Sequence, residues 1–435
     1  MSPEDDILGG MKSSTTSYDV IVIGGGPAGL MAALAAGESG ARVLLLEKGN
    51  KLGRKLIISG GGRCNVTNRK PFDELIKMIP GNGRFLYSAF ATFGSEEIIR
   101  LFEGLGVKLK EEDHGRVFPV TDRAVDVANA LIGRIRQVGV EIRLNAPVDQ
   151  LRYEEDRCTG LRLRSGEEIT ARAVVVAVGG ASVPATGSTG DGYAWARAAG
   201  HTITPLYPTE VPLVCSDAII RDRTLQGLSL REVALTLCDP RGKRLTTQTG
   251  DVVFTHFGLS GPAALRVGHY VSVARLKHGA GPLALQIDLA PGQTEEELYQ
   301  QSLAQVAAEP KKAVKNVIRM LPERMIPPAL ALAGIDPATT YAHLPRDRWR
   351  QLARLVKAFP LTVIGTLKLE EAFITGGGVS VREVDPQSMG SKRKRGLYFA
   401  GEVLDLHGHT GGYNITIAFA TGRAAGLHAA AFSRE

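Results

Sequence analysis

The sequence predicts an α/β protein whose first domain is discontinuous, interrupted by a small β-domain and a helical subdomain. Three observations predict it. Residues 18–47 read as strand, glycine turn, helix and strand, and residues 205–287 hold mainly short strand patterns followed by helical ones. The last stretch then returns to strand and helix, so the first domain resumes after an insertion. At roughly 150 residues per structural unit, 435 residues supply about three, enough for a sizeable core.

Taken in order, residues 1–17 carry acidic side chains and no apolar run, and read as a disordered leader with an alternative start at Met11. Residues 18–23 form an apolar strand, Gly24-Gly25-Gly26-Pro27-Ala28-Gly29 turns the chain, 30–38 is a small-residue helix and 42–47 a second strand. A helix over 122–138 precedes strands near 140–144, 148–153, 159–164 and 168–170 and a buried strand at 173–178, which suits a sheet with a β-meander. In the β-domain the clearest strands are 211–215, 232–238, 251–254 and 283–288. Helices are expected over 295–308, 311–321, 327–333 and 346–357, with Pro327 and Pro328 opening one and Gly334 ending it. Residues 361–372 are strand-like, and a strand at 396–401 leads to a helix over 415–432. The expected domains are 18–204 with 371–435, a β insertion of 205–292 with 359–370, and a helical subdomain of 293–358.

Composition narrows the function classes. With 44% hydrophobic and 22% charged residues the chain is globular, and disorder is at most local. Its 51 glycines, about 12% against an ordinary share of about 7%, cluster without a Gly-X-Y period, which excludes collagen and points to backbone approach to a ligand. The four cysteines, at 64, 158, 215 and 238, make no Cys-x-x-Cys pair, so neither a zinc ribbon nor a dithiol centre is expected and a reducing, cytoplasmic setting fits. Residues 20–37 are uncharged but hold five glycines and a proline, so they read as strand, turn and helix and not as a membrane span. A net charge of +7 suits anionic small ligands or a solvated surface as well as nucleic acid, which is not expected as a partner.

Gly24-x-Gly26-x-x-Gly29 sits after a strand and at a helix start, where glycines permit a tight turn, approach of a pyrophosphate and close helix packing. Glu47 ends the second strand about twenty residues on, where a carboxylate accepts hydrogen bonds from a ribose and argues against a 2′-phosphate. The segment that follows, EKGNKLGRKLIISGGGRCNVTN, carries a triple glycine beside basic residues. Together with VVVAVGGASVPATGSTGDGY, THFGLSGPAAL, TGGGVSVREVDPQSM and GLYFAGEVLDLHGHTGGYN, it resembles the BaiN/RdsA-type (YhiN-like) family of NAD(P)/FAD-dependent oxidoreductases over nearly the whole chain from Tyr18.

The resemblance implies a glutathione-reductase-like FAD-binding Rossmann domain, a β-barrel-like insertion, FAD as cofactor and NAD(P)H as a transient electron donor. By it, Ser59, Gly60, Gly61, Gly62, Arg63, Cys64 and Asn65 lie along the pyrophosphate and toward the flavin ring, and Pro27, Ala28, Lys48 and Val148 join the cofactor contacts. It also brings Val178, Gly179 and Gly180 close to the FAD, and it associates the family with reduction of unsaturated 3-oxo bile-acid intermediates. The residues agree by themselves. Amides of a triple-glycine loop form an anion-accepting nest, to which Arg63, Arg54 or Lys55 adds charge. Cys64 lacks a partner cysteine and an evident base, so it reads as a packing residue beside the ring. Asp191 reads as the cap of a helix over 192–199.

The final cluster is Gly401-Glu402, then Gly411-Gly412-Tyr413-Asn414 before a helix. In such flavoproteins an acid after the last strand holds the ribityl chain, and the helix turns its amino end to the N1–C2 edge of the flavin. His407 and His409 lack a third ligand in sequence, so no metal is expected. His256 and Tyr413 are the candidate proton donors. Lys392-Arg393-Lys394-Arg395, between Gly390 and Gly396, reads as a solvated hairpin turn. The expected reaction is hydride transfer from NAD(P)H through flavin N5 to an organic small molecule, such as a conjugated enone. The alternatives are an FAD oxidase or dehydrogenase of an amine or hydroxy acid, and an FAD-containing RNA-binding or structural protein.

Overall fold

Ser17–Ile23 is flanked in parallel by Val43–Leu46 and by Glu168–Val176, and residues 20–23 are buried, as befits the middle of a sheet covered on both faces. The computed structural model describes residues 17–435 apart from 280 and 308. The expected leader therefore lies outside the described residues up to 16, and Ser17 already belongs to the first strand.

Glu141–Arg143 extends the sheet in parallel beyond Val43–Leu46. Glu168–Val176 serves two neighbours on its other edge. Residues 168–170 pair antiparallel with Arg157–Leu163, which turns into Val148–Glu154, while 174–176 pair in parallel with the late strand Leu397–Phe399. The two strands expected at 168–170 and 173–178 are thus one, because the pairing with Ser17–Ile23 runs through both. Two helices cover one another closely here, Pro27–Glu38 and Tyr413–Phe432. A Cβ on Gly422 would stand 2.3 Å from the Ala28 carbonyl oxygen and one on Gly426 2.2 Å from that of Ala32, so the crossing depends on bare backbone.

The chain divides into two compact units. One runs to Gly180 and takes Thr186–Thr204 and Gly378–Glu435; the other is Ala181–Ala185 with Pro205–Gly377. In the second, six strands close a barrel in the order Leu213–Cys215, Gly258–Ser260, Arg244–Phe254, Ser229–Cys238, Leu283–Asp288 and Phe359–Thr366. Phe359–Thr366 pairs back onto Leu213–Cys215 and completes the closure. The helices Glu295–Ala307, Ile326–Ala333 and Arg346–Lys357 form no unit of their own. Leu298, Leu330, Trp349 and Leu352 share one buried cluster with Leu235, Ile287 and Val363 of the barrel, so barrel and helices have a single core.

Three further expectations change. The first domain resumes at Gly378 and not at 371, because Phe373 N–H donates to Glu210 O (3.2 Å) and the amides of Ala181 and Ser182 donate to Thr375 Oγ1 (2.9 and 3.0 Å), keeping that stretch in the second unit. The helix expected at 311–321 shrinks to a single turn at Val314–Asn316, since Val314 N–H donates to Thr339 O and Ala313 bridges Thr340 instead of continuing a helical ladder. A helix the strand reading missed, Pro262–His278, packs on the barrel after Gly261, with Pro262 in its first turn and Arg275, Lys277 and His278 in its last. Among the described residues no helix is long and apolar enough to cross a membrane.

Candidate functional site

The parallel strands of the first unit end, at their carboxyl edges, in Gly24, Glu47, Val178 and Gly401, and it is there that open α/β sheets take ligands. The fingerprint glycines divide the labour. Gly24 has φ +103° and a Cβ there would meet Ala177 O at 2.5 Å; a Cβ on Gly29 would meet Gly24 O at 1.8 Å; one on Gly26 would meet nothing within 4 Å. Tight turn and helix packing thus fall to the outer two, and Gly26 faces open space just where Pro27–Glu38 begins. The Ala28 Cβ lies 2.7 Å from where a Gly401 Cβ would be, so the last strand's loop abuts this turn.

Glu47 is fixed by backbone. Gly25 N–H donates to its Oε2 and Gly49 N–H to its Oε1, both at 2.8 Å, so that each oxygen keeps capacity for a further donor. Ala146 N–H donates to Glu47 O (3.0 Å), which brings the chain up to buried Val148 past the same spot. Lys48 Nζ forms an ion pair with Asp191 Oδ2 (2.5 Å) and also bonds Thr189. Asp191 is therefore no side-chain cap: its helix is Asp191–Ala198, capped at Gly190 by backbone alone. Gly179 (φ +74°) and Gly180, whose carbonyl accepts from Gly190 N–H, carry the chain from the strand end into this loop.

Lys55 and Glu402, 347 positions apart, meet as a half-buried ion pair at 2.7 Å. Arg54 donates to the side-chain oxygen Oδ1 of Asn50 (2.5 Å). After Ser59, whose hydroxyl donates to Leu56 O, Gly60, Gly61 and Gly62 run with φ of +57°, +68° and +86°, and a Cβ on Gly61 or Gly62 would meet nothing within 4 Å. Arg63 turns away from being a free charge. It binds Glu112 and Asp122 and stacks 4.2 Å over Phe118, and those carboxylates hold its guanidinium further above its usual range. Cys64 (φ +60°) is fully buried and burial pushes its thiol up to about 12, so it is a packing group and no thiolate.

The two longest motifs pack on each other. Thr67 and Thr416 hydroxyls share a hydrogen bond (2.8 Å), Asn68 Nδ2 donates to Gly411 O (2.9 Å), and a Cβ on Gly412 would stand 2.9 Å from Asn65 Oδ1. Gly412 (φ +96°) caps Tyr413–Phe432, whose first turn has no acidic residue. Asn414 closes the loop before it: its Oδ1 accepts from Gly408 N–H (2.8 Å) and its Nδ2 donates to Gly408 O (2.7 Å). Tyr413, His407 and His409 are buried there, and among the described residues no group of three or more His, Cys, Asp or Glu side chains is placed to hold a metal ion. His256 belongs to the second unit, exposed in the turn after Arg244–Phe254, with its ring edge-on to Phe257 at 4.9 Å. The basic run is a turn in which Ser391 N–H donates to Leu397 O (2.8 Å), Lys394 Nζ donates to Glu155 O and Arg393 pairs with Glu383.

The model of the HI0933-like protein Rossmann domain matches residues 18–428. The chain belongs to the HI0933-like family of FAD-dependent oxidoreductases. Among curated relatives of this HI0933-like chain, the 3-dehydro-bile acid delta(4,6)-reductase of Clostridium scindens is 29% identical over 423 residues, covering 94% of this chain and 98% of the relative. The ribosomal RNA dihydrouridine synthase of Haemophilus influenzae is 30% identical over 410 residues, covering 94% and 97%. In fold it is similar to 3-ketosteroid delta1-dehydrogenase from Sterolibacterium denitrificans, with a TM-score of 0.52 at 16% identity, over 96% of this chain and 100% of that one.

The residues present fit the cofactor of an HI0933-like enzyme. Gly26, Gly61 and Gly62 leave room beside backbone amides where an added methyl would intrude on a ligand, Glu47 offers a fixed carboxylate, and Asn65 Oδ1 is a buried acceptor with no partner. Tyr193, which the sequence reading passed over, adds a buried hydroxyl with no partner in the same unit, and burial together with Glu402 and Asp405 holds it in its protonated form. A Tyr two residues past Asp191 on a helix at the sheet's ligand-binding edge was the available signal.

Proposed function

We propose that the chain passes a hydride from NAD(P)H to an organic acceptor and saturates a carbon–carbon double bond conjugated to a carbonyl. FAD, when bound, supplies N5, the atom through which that hydride travels. One observation carries the reading. Two relatives of nearly full length, named for a bile acid and for a ribosomal base, share a reaction type: a 3-keto delta(4,6) system and a uracil ring each lose a double bond conjugated to a carbonyl.

In this reading Gly26 seats the pyrophosphate on the turn that Gly24 and Gly29 permit, Glu47 takes the ribose hydroxyls, and Gly60 to Gly62 give amides to the phosphates. Glu402, held by Lys55, orients the ribityl chain, and the amino end of Tyr413–Phe432 faces the ring. No second Gly-x-Gly-x-x-Gly follows a strand, so NAD(P)H visits without a domain of its own. His256, Tyr413 or water protonates the α-carbon. Four free thiols suit a reducing, cytoplasmic setting. The expectation that nucleic acid is no partner is not kept, because one relative is named for modifying ribosomal RNA.

The test is anaerobic stopped flow. NADH or NADPH should bleach the bound flavin, and a steroid dienone should restore its colour, with deuterium from the donor at the product β-carbon. Dihydrouridine formed in ribosomal RNA, with enones inert, would keep the reaction and move it to a nucleobase. Reoxidation by oxygen alone overturns the proposal, and reduction by an amine or hydroxy acid but not by NAD(P)H favours the oxidase or dehydrogenase alternative.

A further inference from the structure

Asn65 carries a carbonyl oxygen, Oδ1, buried without a hydrogen-bond partner on a residue only 8% exposed. Buried acceptors are nearly always paired, so the oxygen marks a place where a donor belongs. Its surroundings are specific. A Cβ on Gly60 would lie 3.6 Å from Asn65 Cβ, and one on Gly412 would lie 2.9 Å from Oδ1 itself. The oxygen therefore stands where the triple-glycine loop meets the amino end of Tyr413–Phe432.

That end of a 20-residue helix presents amide donors, because the first amides of an α-helix have no partner within it. The protein thus sets several donors beside one lone acceptor. The pyrimidine edge of an oxidised isoalloxazine has the complementary order: N1 and the C2 carbonyl accept, N3–H donates, and the C4 carbonyl accepts. N3–H is the only N–H donor on that ring. We infer that Asn65 Oδ1 accepts a hydrogen bond from flavin N3–H, while the helix amides serve the adjacent C2 carbonyl. The pair of contacts fixes which face of the ring is presented, since a ring turned over about its long axis would set the C2 carbonyl against the Asn65 oxygen. The inference rests on FAD as the cofactor and on no substrate.

The experiment reconstitutes the apoprotein with FAD and with N3-methyl-FAD and reads the affinities from quenching of flavin fluorescence. The wild type should prefer FAD by about tenfold or more, and Asn65→Ala should bring the two flavins within about threefold of each other, chiefly by weakening FAD. Asn65→Asp, which keeps an acceptor and cannot donate, should retain the preference and lower the midpoint potential of the bound flavin. Equal binding of both flavins by the wild type overturns the inference, as does an undiminished preference in Asn65→Ala. Loss of FAD binding in Asn65→Asp also overturns it, because it would mean that the amide nitrogen had been the contact. Should Asn65→Ala fail to fold by circular dichroism, the decision falls to the N3 proton of 15N-labelled FAD in the wild type. A resonance that exchanges with water as in free flavin sinks the inference, and a protected one upholds it. Binding of neither flavin would instead remove the cofactor reading itself.

Discussion

Cys64 shows how a residue's chemistry is settled by what surrounds it. Burial pushes its thiol, like that of Cys215, up to about 12, and that of Cys158 up to about 11, so at pH 8 none of the three is a nucleophile. Iodoacetamide should therefore label half-buried Cys238 first, and peptide mass spectrometry that found early labelling at Cys64 would contradict the packing role. Glu47→Ala should weaken FAD binding about ten- to a hundredfold, and by stranding the amides of Gly25 and Gly49 it should also cost about 1–3 kcal/mol of stability, read by thermal unfolding. At this scale the sequence named Lys55 and Glu402 separately but could not show them as one ion pair, because contact between residues 347 positions apart arises only once the late strand Leu397–Phe399 has joined the sheet of the first unit. Arg63 is the converse: a basic residue beside a glycine loop reads as a phosphate ligand until Glu112 and Asp122 are seen to hold it.

Elements with strong local signals were legible. The first strand, turn and helix, and the last helix, follow from apolar runs and small-residue periodicity. Pro262–His278 was not, because its own pattern has no clean apolar face and it lies among strands. The crossing of the first and last helices yields a prediction: Gly426→Val should destabilise the fold by at least about 1–3 kcal/mol, since its Cβ would stand 2.2 Å from the Ala32 oxygen, and a native-like melting curve would show that the helices can part. The turn at 381–395 yields another. Arg393 and the Thr202 amide hold the Glu383 carboxyl down to about 2, while burial lowers His201, whose Nε2 meets Ser391 Oγ at 2.7 Å. For both groups the folded value lies below the unfolded one. The stability due to His201 is therefore present above its ordinary 6.5 and lost as pH falls below it, and that due to Glu383 is lost between 4.5 and about 2. Thermal midpoints should decline in those two steps, and Glu383→Gln should remove the lower one.

At the scale of the whole molecule the insertion was legible as a change of pattern, but its limits and its unity were not. Composition cannot reveal that Trp349 of a helix and Val363 of a strand occupy one core. That shared core predicts that a fragment of residues 205–377 folds by itself, with one cooperative transition and no yellow colour; a molten fragment would mean that the first unit completes its core.

The long stretch Pro205–Gly377 leaves and re-enters the first unit side by side. Thr204 Oγ1 both accepts from Gly378 N–H (3.0 Å) and donates to Gly378 O (3.2 Å). Neighbouring strands stand about 4.8 Å apart, a gap that a two-residue hairpin turn spans. The stretch between is therefore, topologically, an oversized hairpin loop. An engineer who excises it cuts at two points lying side by side and leaves the strands of the first sheet threaded as they are, but must also replace Ala181–Ala185, whose first two amides are held by Thr375.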